Sequence, residues 1–455
     1  MSKLAILGGE SVRKRAFPER KTMGDPEHQA VKRVLDSDTL SGFLGAAGSL
    51  FNGGKEVKEF ESAWAKKFGF KHAVSVNSAS TALMTAMGAA GIEPGDEVIV
   101  SPYTMSVSAT AALFYGGIPI FADVDPNSLC LDPKSIESRI SERTKAIVVV
   151  HLLGYPADMD VIMGIAKARG LMVIEDAAQA PGARYKGRFV GGIGDIGCFS
   201  LNYHKHIHTG EGGLLVTNND DIALRAQLIR NHGENAHEAY GMENLSNVIG
   251  TNYRLTELQA AIGREQLKKL DAILLRRREL ASYLASRLAH IKGLTLQEVH
   301  AHVMHAYYMF PIRYTEAVFG VRRTVFLKAV SAELPKATSW ETTPLAEGYV
   351  KPLYLNLIYQ KQIALGRKGF PFNYNKDVKY DYSKGICPVV EHLYEKELMY
   401  SPLAREPLTI EDMNDFANAF EKVAENIHEL KNCSADREQS QVYDAVAASN
   451  ETAKG

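Results

Sequence analysis

The sequence is poor in several features that mark particular classes of protein. Its 455 residues include only 4 cysteines, far apart and without a C-x-x-C pair, which excludes a disulfide scaffold and favours a reducing compartment. Lysine and arginine number 52 and aspartate and glutamate 53, a net charge of −1, so no basic surface for a nucleic acid or an anionic membrane is expected. The most apolar stretch, residues 107–124, contains serine, threonine, glycine and proline and is too polar to span a membrane.

The remaining composition is that of an ordinary globular protein. Hydrophobic residues make up 45% and charged residues 23% of the chain, as in folded soluble domains. The first residues contain too short an apolar run for a secretory signal. We therefore expect a soluble cytoplasmic protein with neither nucleic-acid nor membrane partners.

Between residues 73 and 217 the chain repeats a pattern of strand, loop and helix. Several of the strand segments are continuous apolar runs, as expected where helices cover both faces of a parallel sheet. The predicted strands are residues 73–76, 97–101, 119–123, 146–152, 171–175, 196–200 and 213–217. The pattern predicts an α/β fold whose large domain is a mostly parallel, seven-stranded sheet sandwiched by helices.

Capping signals place helices around this sheet. Asp25 is a candidate N-cap with Pro26 at the first helical position. Residues 55–68 carry apolar side chains at steps of three and four, which predicts a helix. Thr256 and Gln259 fit a capping box, which predicts a long helix ending near residue 290.

The long helix is expected to join two domains. The predicted large domain, with an N-terminal arm, covers residues 1–274, and a smaller C-terminal α/β domain covers residues 275–432. Residues 433–455 are polar and are predicted to form a flexible tail. Residues 338–385 lack clear periodicity, and we interpret them as an insertion that covers the substrate mouth.

Two patterns match known binding motifs without their usual context. Residues 192–197 satisfy G-x-G-x-x-G, but these glycines precede an extended segment instead of opening a helix, which disfavours a nicotinamide site. His204, His206 and His208 alternate and could line a metal site, but no carboxylate or cysteine stands at the usual spacing. We interpret the histidines as polar residues of an active-site loop and predict no metal site.

Three separate segments carry reactive groups where α/β sheets bind ligands. Lys205 lies between Ser200 and a glycine-rich turn, and Asp176 ends an apolar strand. Residues 77–83 form a strand-to-helix turn of small hydroxyl residues, whose backbone N–H groups would attract a phosphate. A lysine for a Schiff base, an acid for a pyridine nitrogen and a phosphate cradle are the groups that pyridoxal phosphate needs. The sequence therefore predicts a pyridoxal-phosphate site.

These segments resemble the DegT/DnrJ/EryC1/StrS family of fold-type I pyridoxal-phosphate aminotransferases, which act on sugars and aminocyclitols. The resemblance is strong over about residues 30–270 and looser in the small domain. The segments that carry it are Val57-x-x-Phe60-Glu61, residues 75–83, 119–125, 154–160, 175–180, 200–213, 230–233, 250–255 and 259–267, and more loosely 348–354 and 387–391.

The resemblance implies how the cofactor would be held. Lys205 would be the Schiff-base lysine, Asp176 the partner of the pyridinium nitrogen, and Gln179 a neighbour of the ring hydroxyl. Ser200 and the turn formed by Ser80 and Thr81 would hold the phosphate. This chain has Ser80 at a position where the family usually has threonine, so one hydroxyl residue replaces another.

The resemblance also implies a homodimer, because the active sites of this family are built across two subunits. Asn252, with Arg254 as a further candidate, would reach into the partner subunit's site. The residue that stacks on the cofactor ring stays open. The family tends to place an aromatic residue where this chain has Met105, and Tyr103 is the aromatic residue nearby.

The resemblance implies that the chain transfers an amino group from glutamate or glutamine to a keto sugar, most often a nucleotide-linked one. Residues 4–9 and 387–388 look more like the branch that acts on aminocyclitols and unlinked sugars. A related dehydratase would have histidine in place of Lys205. A binding or sensor homologue and a nicotinamide oxidoreductase are the remaining alternatives.

Overall fold

The computed structural model describes residues 3–435. The strands in this part of the chain are β1 (His72–Val76), β2 (Glu97–Val100), β3 (Ile118–Phe121), β4 (Thr144–Val150), β5 (Met172–Asp176), β6 (Arg184–Tyr185), β7 (Arg188–Phe189), β8 (Ile196–Ser200), β9 (Gly213–Thr217), β10 (Leu294–Leu296), β11 (Val303–Met304), β12 (Phe310–Tyr314), β13 (Ala346–Glu347) and β14 (Leu398–Ser401).

The central sheet confirms the predicted fold. It has seven strands in the order β1-β9-β8-β5-β4-β2-β3, and these are the predicted strands, with bounds that differ by at most two residues. β9 runs antiparallel to both of its neighbours, and the other pairs are parallel. The strands are almost entirely buried, which explains their continuous apolar runs. Two smaller sheets have the orders β10-β12-β14-β13 and β11-β6-β7.

Helices pack on the central sheet and also occur in the rest of the described chain. They are α1 (Asp25–Asp36), α2 (Lys55–Phe68), α3 (Ala79–Ala89), α4 (Val107–Leu113), α5 (Pro133–Arg139), α6 (Met159–Arg169), α7 (Asp220–Arg230), α8 (Glu257–Leu288), α9 (Glu316–Phe319), α10 (Arg323–Ala332), α11 (Leu357–Gln360), α12 (Pro388–His392), α13 (Ile410–Glu425) and α14 (Ile427–Ala435). No helix among residues 3–435 has the length and apolar character that a membrane crossing requires.

The predicted helix starts are close to those observed. The N-cap of α1 is Gly24, so Asp25 is the first helical residue and the prediction was one residue late. Its first turn is closed by the Glu27 carboxylate, which accepts a hydrogen bond from Gly24 N at 2.9 Å. The capping box of α8 is as predicted, with Gln259 N donating to Thr256 Oγ1 at 3.3 Å.

The long helix α8 passes from one hydrophobic core to another. Its residues Leu267, Leu270 and Leu274 are buried with the central sheet, whereas Leu280 and Leu284 are buried in a second core with α10 and α13. The predicted boundary at residue 274 lies between these two groups and stays a prediction.

Two segments pack differently from the predicted domain division. The N-terminal arm, residues 3–23, was assigned to the large domain, but its Leu4 and Phe17 are buried in the second core. Helix α14 continues to Ala435, into the first residues of the predicted flexible tail. The rest of that tail lies outside the described residues.

The predicted insertion contacts the edge of the central sheet. The rings of Tyr354, Tyr359 and Tyr382 lie 5.6, 5.0 and 5.8 Å from that of Phe121 in β3. Tyr382 OH donates to Pro119 O of the same strand at 2.8 Å. Residues 354–382 therefore cover the open edge of β3, because an uncovered edge strand would leave backbone groups without partners. Trp340 and Tyr349 of the same segment lie instead beside His204 and Gln179, so its role at the substrate mouth stays a prediction.

Candidate active site

Lys205 lies in the irregular loop between β8 and β9. The residue is 7% exposed, and its Nζ is 4.2 Å from the centre of the Tyr308 ring. Burial lowers the pKa of the amine to about 8, and the negative charge of Asp176 opposes this shift. Since desolvation disfavours the ammonium form, the amine loses its proton much closer to neutral pH than an ordinary lysine does.

Asp176 is the last residue of β5, at the carboxyl edge of the central sheet. Its Oδ2 accepts a hydrogen bond from Ser108 Oγ at 2.7 Å, and its Oδ1 accepts one from Ala178 N at 3.1 Å. Thr104 Oγ1 lies 3.1 Å from Ser108 Oγ. Because a carboxylate has about four lone-pair sites, Asp176 keeps acceptor capacity for a ligand. Sequence reasoning missed Ser108, since a serine in an apolar helix carries no distinguishing signal.

The turn before α3 uses one of its predicted phosphate-binding hydroxyls for its own structure. Ser78 is the N-cap, and its Oγ accepts a hydrogen bond from Thr81 N at 3.1 Å. Thr81 Oγ1 donates to Asn77 Oδ1 at 2.8 Å, whereas Ser80 is exposed. The N–H groups of the first helical turn have no acceptor within the helix, which makes this helix start suitable for an anion.

A glycine brings Ser200 beside the same helix start. Ser200, the last residue of β8, pairs with Gly213 of β9. A Cβ on Gly213 would lie 2.5 Å from Ser78 O and 2.6 Å from Ala79 N, so no larger residue fits between β9 and the helix start. Ser200 and the N-terminus of α3 therefore lie at one corner of the site, and their role in holding a phosphate stays a prediction.

Gln179 and Tyr349 connect the site to the predicted insertion. Gln179 Nε2 donates to Tyr349 OH at 2.8 Å, and its Oε1 accepts a hydrogen bond from Leu153 N at 2.8 Å. The Tyr103 ring contacts Tyr349 edge-on at 5.8 Å, and Tyr103 OH donates to Gly348 O at 2.8 Å. Tyr103 is thus buried in the wall of the site, whereas Met105 is 56% exposed. The choice of stacking residue stays open.

The three alternating histidines point to different partners. His206 Nε2 donates to Ala306 O at 2.9 Å, and His208 Nε2 is 2.9 Å from Thr22 Oγ1. The His204 ring lies 5.3 Å from that of Trp340. Burial lowers the pKa of His204 and of His208 to about 4, so both are neutral at pH 7. Residues 3–435 contain no group of three histidine, cysteine or acidic side chains that could hold a metal ion.

The glycine-rich segment that satisfied the dinucleotide pattern binds a carboxylate of its own chain. The backbone N–H groups of Gly191, Ile193 and Gly194 donate to the Glu175 carboxylate at 2.7, 2.7 and 2.6 Å. His151 Nε2 lies 2.8 Å from the same carboxylate. The segment leads into β8, so its role is structural and the nicotinamide alternative loses its support.

Asn252 and Arg254 lie in a loop that borders the turn before α3. Tyr253 O accepts a hydrogen bond from Asn77 N at 2.9 Å. Arg254 Nε donates to Asn231 Oδ1 at 2.8 Å, and Asn252 is exposed. Neither side chain forms a hydrogen bond with Lys205 or Asp176 of its own chain within the described residues.

The fold is that of a fold-type I aminotransferase. A sequence model of the DegT/DnrJ/EryC1/StrS aminotransferase family matches residues 27–362. The chain therefore belongs to this family.

Individual relatives are similar over most of the chain. The GDP-perosamine synthase of Caulobacter vibrioides is 40% identical over 273 residues, which are 60% of this chain and 72% of that protein. The L-glutamine:scyllo-inosose aminotransferase of Streptomyces griseus is 33% identical over 94% of this chain and 99% of that protein. Among solved structures, an aminotransferase from Psychrobacter cryohalolentis superposes with a TM-score of 0.77 at 30% identity, covering 90% of this chain and 100% of that one.

Proposed function

We propose that the chain is a pyridoxal-phosphate-dependent aminotransferase that moves the amino group of glutamate or glutamine to a keto sugar or a keto cyclitol. The observation that carries the proposal is the buried amine of Lys205, whose pKa is lowered to about 8 by burial while the charge of Asp176 opposes the shift. An amine in this state serves as a nucleophile and as a base near neutral pH.

The groups of the site fit pyridoxal phosphate. Lys205 would bind the aldehyde carbon, and the Asp176 carboxylate has acceptor capacity left for the ring nitrogen. The start of α3 with the exposed Ser80, together with Ser200, would hold the phosphate. When bound, pyridoxal phosphate supplies a ring that withdraws electrons from the carbon next to the transferred nitrogen.

Residues of the chain would then move the proton of the reacting carbon and stabilise charge on the ring. Lys205, as a free amine, would take a proton from the α-carbon of the donor and later return one to the carbon of the acceptor. The Asp176 carboxylate would stabilise positive charge on the ring nitrogen. The Tyr308 ring, 4.2 Å from the lysine amine, would help to keep water from that amine.

Two acceptor classes have support from different relatives. The Caulobacter relative is named for a GDP-linked sugar and has the higher identity, over 60% of this chain, which supports a nucleotide-linked keto sugar. The Streptomyces relative is named for glutamine and scyllo-inosose and aligns over 94% of this chain. This longer alignment supports an unlinked keto cyclitol as the second candidate and glutamine as the donor.

A homodimer is part of the proposal. The exposed Asn252 and the neighbouring Arg254 would complete the partner subunit's site. Ile249, which precedes them, is 71% exposed, and Leu245 is 40% exposed, so apolar surface is available beside this loop for a second copy. The cytoplasmic location expected from the cysteine content stays a prediction.

The proposal is tested with the full-length protein and added pyridoxal phosphate. Borohydride reduction should fix the cofactor to the peptide that contains Lys205, as detected by mass spectrometry, and the long-wavelength absorbance should bleach with glutamine or with glutamate. Lys205→Ala should lose both signals, whereas Lys186→Ala, which changes an exposed lysine, should keep both. An absorbance that persists with both donors would favour the dehydratase, and absence of any adduct would refute the cofactor assignment.

The pH dependence gives a second check on Lys205. Its amine should react with a small labelling aldehyde with a midpoint near pH 8, because the pKa is lowered to about 8 from the ordinary value of 10.5. Reactivity should therefore rise as the pH increases through this midpoint. Labelling that rises only near the pKa of an ordinary lysine would contradict the proposed state of the amine.

A further inference from the structure

The loop that carries Lys205 has few hydrogen bonds of its own. Residues 202–209 belong to neither a helix nor a strand. Within the loop, Lys205 N donates to Asn202 O at 2.9 Å, and Thr209 N donates to Leu201 O at 3.0 Å. The carbonyl groups of Lys205 and His206 have no partner in regular structure and need one elsewhere, because buried backbone groups are nearly always hydrogen bonded.

Arg20 of the N-terminal arm supplies those partners. Its Nη1 donates to Lys205 O at 2.6 Å, and its Nη2 donates to His206 O. The side chain is 3% exposed, and its Nε donates to Glu406 Oε1 at 2.8 Å. A planar guanidinium can hold two adjacent carbonyl groups and a carboxylate at once, which an ammonium group cannot do with the same geometry.

A second contact from the arm reaches the other side of the same loop. Thr22 Oγ1 lies 2.9 Å from His208 Nε2. His208 Nδ1 accepts a weak hydrogen bond from Gly210 N at 3.4 Å, which leaves Nε2 as the donor to Thr22. The arm therefore contacts the loop on both sides of His206.

The arm itself is held by side chains of α13 and α8. Arg13 Nη1 lies 2.8 Å from Asp412 Oδ1 and 2.8 Å from Asp415 Oδ2. The Thr22 carbonyl accepts a hydrogen bond from Gln266 Nε2 of α8 at 3.1 Å. The loop that carries the lysine is thus connected through the arm to a part of the molecule that lies far from it in sequence.

We propose that Arg20 is a positioning residue for Lys205: by holding the carbonyl groups of residues 205 and 206, it keeps the lysine loop in the conformation that buries the amine against Tyr308. The inference rests on the proposed function, since it gives the arm a role in the reaction of that lysine. Loss of the guanidinium would free both carbonyl groups, let the loop open and admit water to the amine.

Several charged and titratable groups surround these two residues. Asp176, Tyr308, His204 and His206 face the lysine amine from β5, the 305–310 segment and its own loop. Glu406, Arg277, Glu341 and Arg405 face Arg20, and so do the histidines of the lysine loop, His204, His206 and His208. A substitution that removes only the Arg20 guanidinium leaves all of these groups in place.

The test uses full-length, cofactor-free protein and measures the lysine directly. Reductive methylation of Lys205 is followed by mass spectrometry across a range of pH for wild type, Arg20→Gln and Arg20→Lys. We expect Arg20→Gln to move the midpoint upward by about one pH unit, which lowers the free-amine fraction about tenfold at pH values well below the midpoint. Hydrogen exchange of the amides of residues 203–209 should become about tenfold faster. For both the labelling midpoint and the exchange rate, the value of Arg20→Lys should lie between those of wild type and Arg20→Gln.

Arg15→Gln is the matched control, because Arg15 lies in the same arm with a side chain that is 77% exposed. It should leave both measurements at their wild-type values. A folded Arg20→Gln protein with the wild-type midpoint and wild-type exchange would overturn the proposal. If Arg20→Gln fails to fold, the labelling midpoint and the amide exchange of Arg20→Lys test the proposal instead. Wild-type values of both in Arg20→Lys would then overturn it.

Chemical rescue separates positioning from a general loss of packing. In Arg20→Ala, added guanidinium at low concentration should restore the labelling midpoint, whereas methylammonium should not. Absence of any difference between the two cations would count against the proposal. Failure of the wild-type protein to bind pyridoxal phosphate would refute the proposed function, yet the labelling and exchange results would still decide the role of Arg20.

Discussion

The Asp176 carboxylate depends on one hydroxyl group for its side-chain hydrogen bond. Ser108 Oγ donates to Asp176 Oδ2 at 2.7 Å, and Ser108 is fully buried. Leaving a buried charged group without its donor costs about 1.5–3 kcal/mol. We therefore predict that Ser108→Ala lowers the free energy of unfolding by about that amount, measured by urea denaturation of the cofactor-free protein. Binding of pyridoxal phosphate, measured by equilibrium dialysis, should weaken about tenfold.

Thr104→Val provides the control for this prediction. Thr104 Oγ1 lies 3.1 Å from Ser108 Oγ and forms no hydrogen bond with Asp176 within the described residues. The valine variant should therefore lose about 1 kcal/mol of stability with little change in cofactor affinity. Equal losses of affinity in the two variants would show that the hydroxyl of Ser108 has no specific role.

The same residues show what the sequence could and could not reveal. The places of Lys205 and Asp176 in the fold were predictable, because a lysine before a glycine-rich turn and an acid at a strand end are local patterns; their roles stay predictions. Ser108 is 68 residues from Asp176, and Arg20 is 185 residues from Lys205. Only the fold brings these partners together, so no spacing in the sequence could have indicated either contact.

At the scale of elements, the segment that covers β3 stabilises the edge of the central sheet. Tyr382 OH donates to Pro119 O of β3 at 2.8 Å, and Tyr380 OH lies 3.2 Å from Glu97 Oε1 of β2. We predict that Tyr382→Phe lowers the free energy of unfolding by about 1 kcal/mol, the usual contribution of one hydrogen bond. Steady-state affinity for the acceptor should not change, since the substituted hydroxyl faces the sheet edge.

Tyr374→Phe is the matched control at this scale. Tyr374 belongs to the same segment and is 53% exposed, so removal of its hydroxyl should leave the thermal midpoint unchanged. Should Tyr382→Phe raise the apparent KM of the acceptor while leaving stability intact, the segment would cover the substrate mouth after all.

Elements with a strong period were predictable, and aperiodic ones were not. The buried strands are continuous apolar runs, and the start of α8 is a capping box, so both could be read locally. The order of the strands and the antiparallel direction of β9 depend on long-range pairing, for example of β1 with β9. The position of residues 354–382 along β3 could not be predicted for the same reason, because aromatic residues without a period do not show which surface they cover.

At the scale of the whole molecule, one carboxylate joins the N-terminal arm, the long helix and the segment before α13. Glu406 Oε1 lies 2.8 Å from Arg20 Nε, and its Oε2 lies 3.3 Å from Arg277 Nε. Burial would raise the pKa of Glu406, but the positive charges of Arg277 and Arg20 outweigh it and hold this pKa below the ordinary value of 4.5. Neither the sequence nor any single element predicts such a contact, since its members come from three distant parts of the chain.

This carboxylate gives the last prediction, which concerns stability and its dependence on pH. Glu406→Gln leaves two largely buried guanidinium groups without their shared anion. Breaking a fully buried pair costs about 3–5 kcal/mol, and we expect about 2–4 kcal/mol here, because the Glu406 side chain is still 21% exposed. The loss should be measured as the free energy of unfolding in urea at about pH 7, with Glu425→Gln, which changes an exposed carboxylate, as the control.

The sign of the pH dependence follows from the lowered pKa of Glu406 in the folded protein. The unfolded chain takes up a proton at this residue at a higher pH than the folded chain does, so its contribution is complete well above the ordinary pKa of 4.5 and is lost as the pH falls through the folded pKa. The difference in stability between wild type and Glu406→Gln should therefore be constant from about pH 5 to 8 and shrink in more acid solution. A difference that stayed the same at every pH would mean that the glutamate acts through packing and not through its charge.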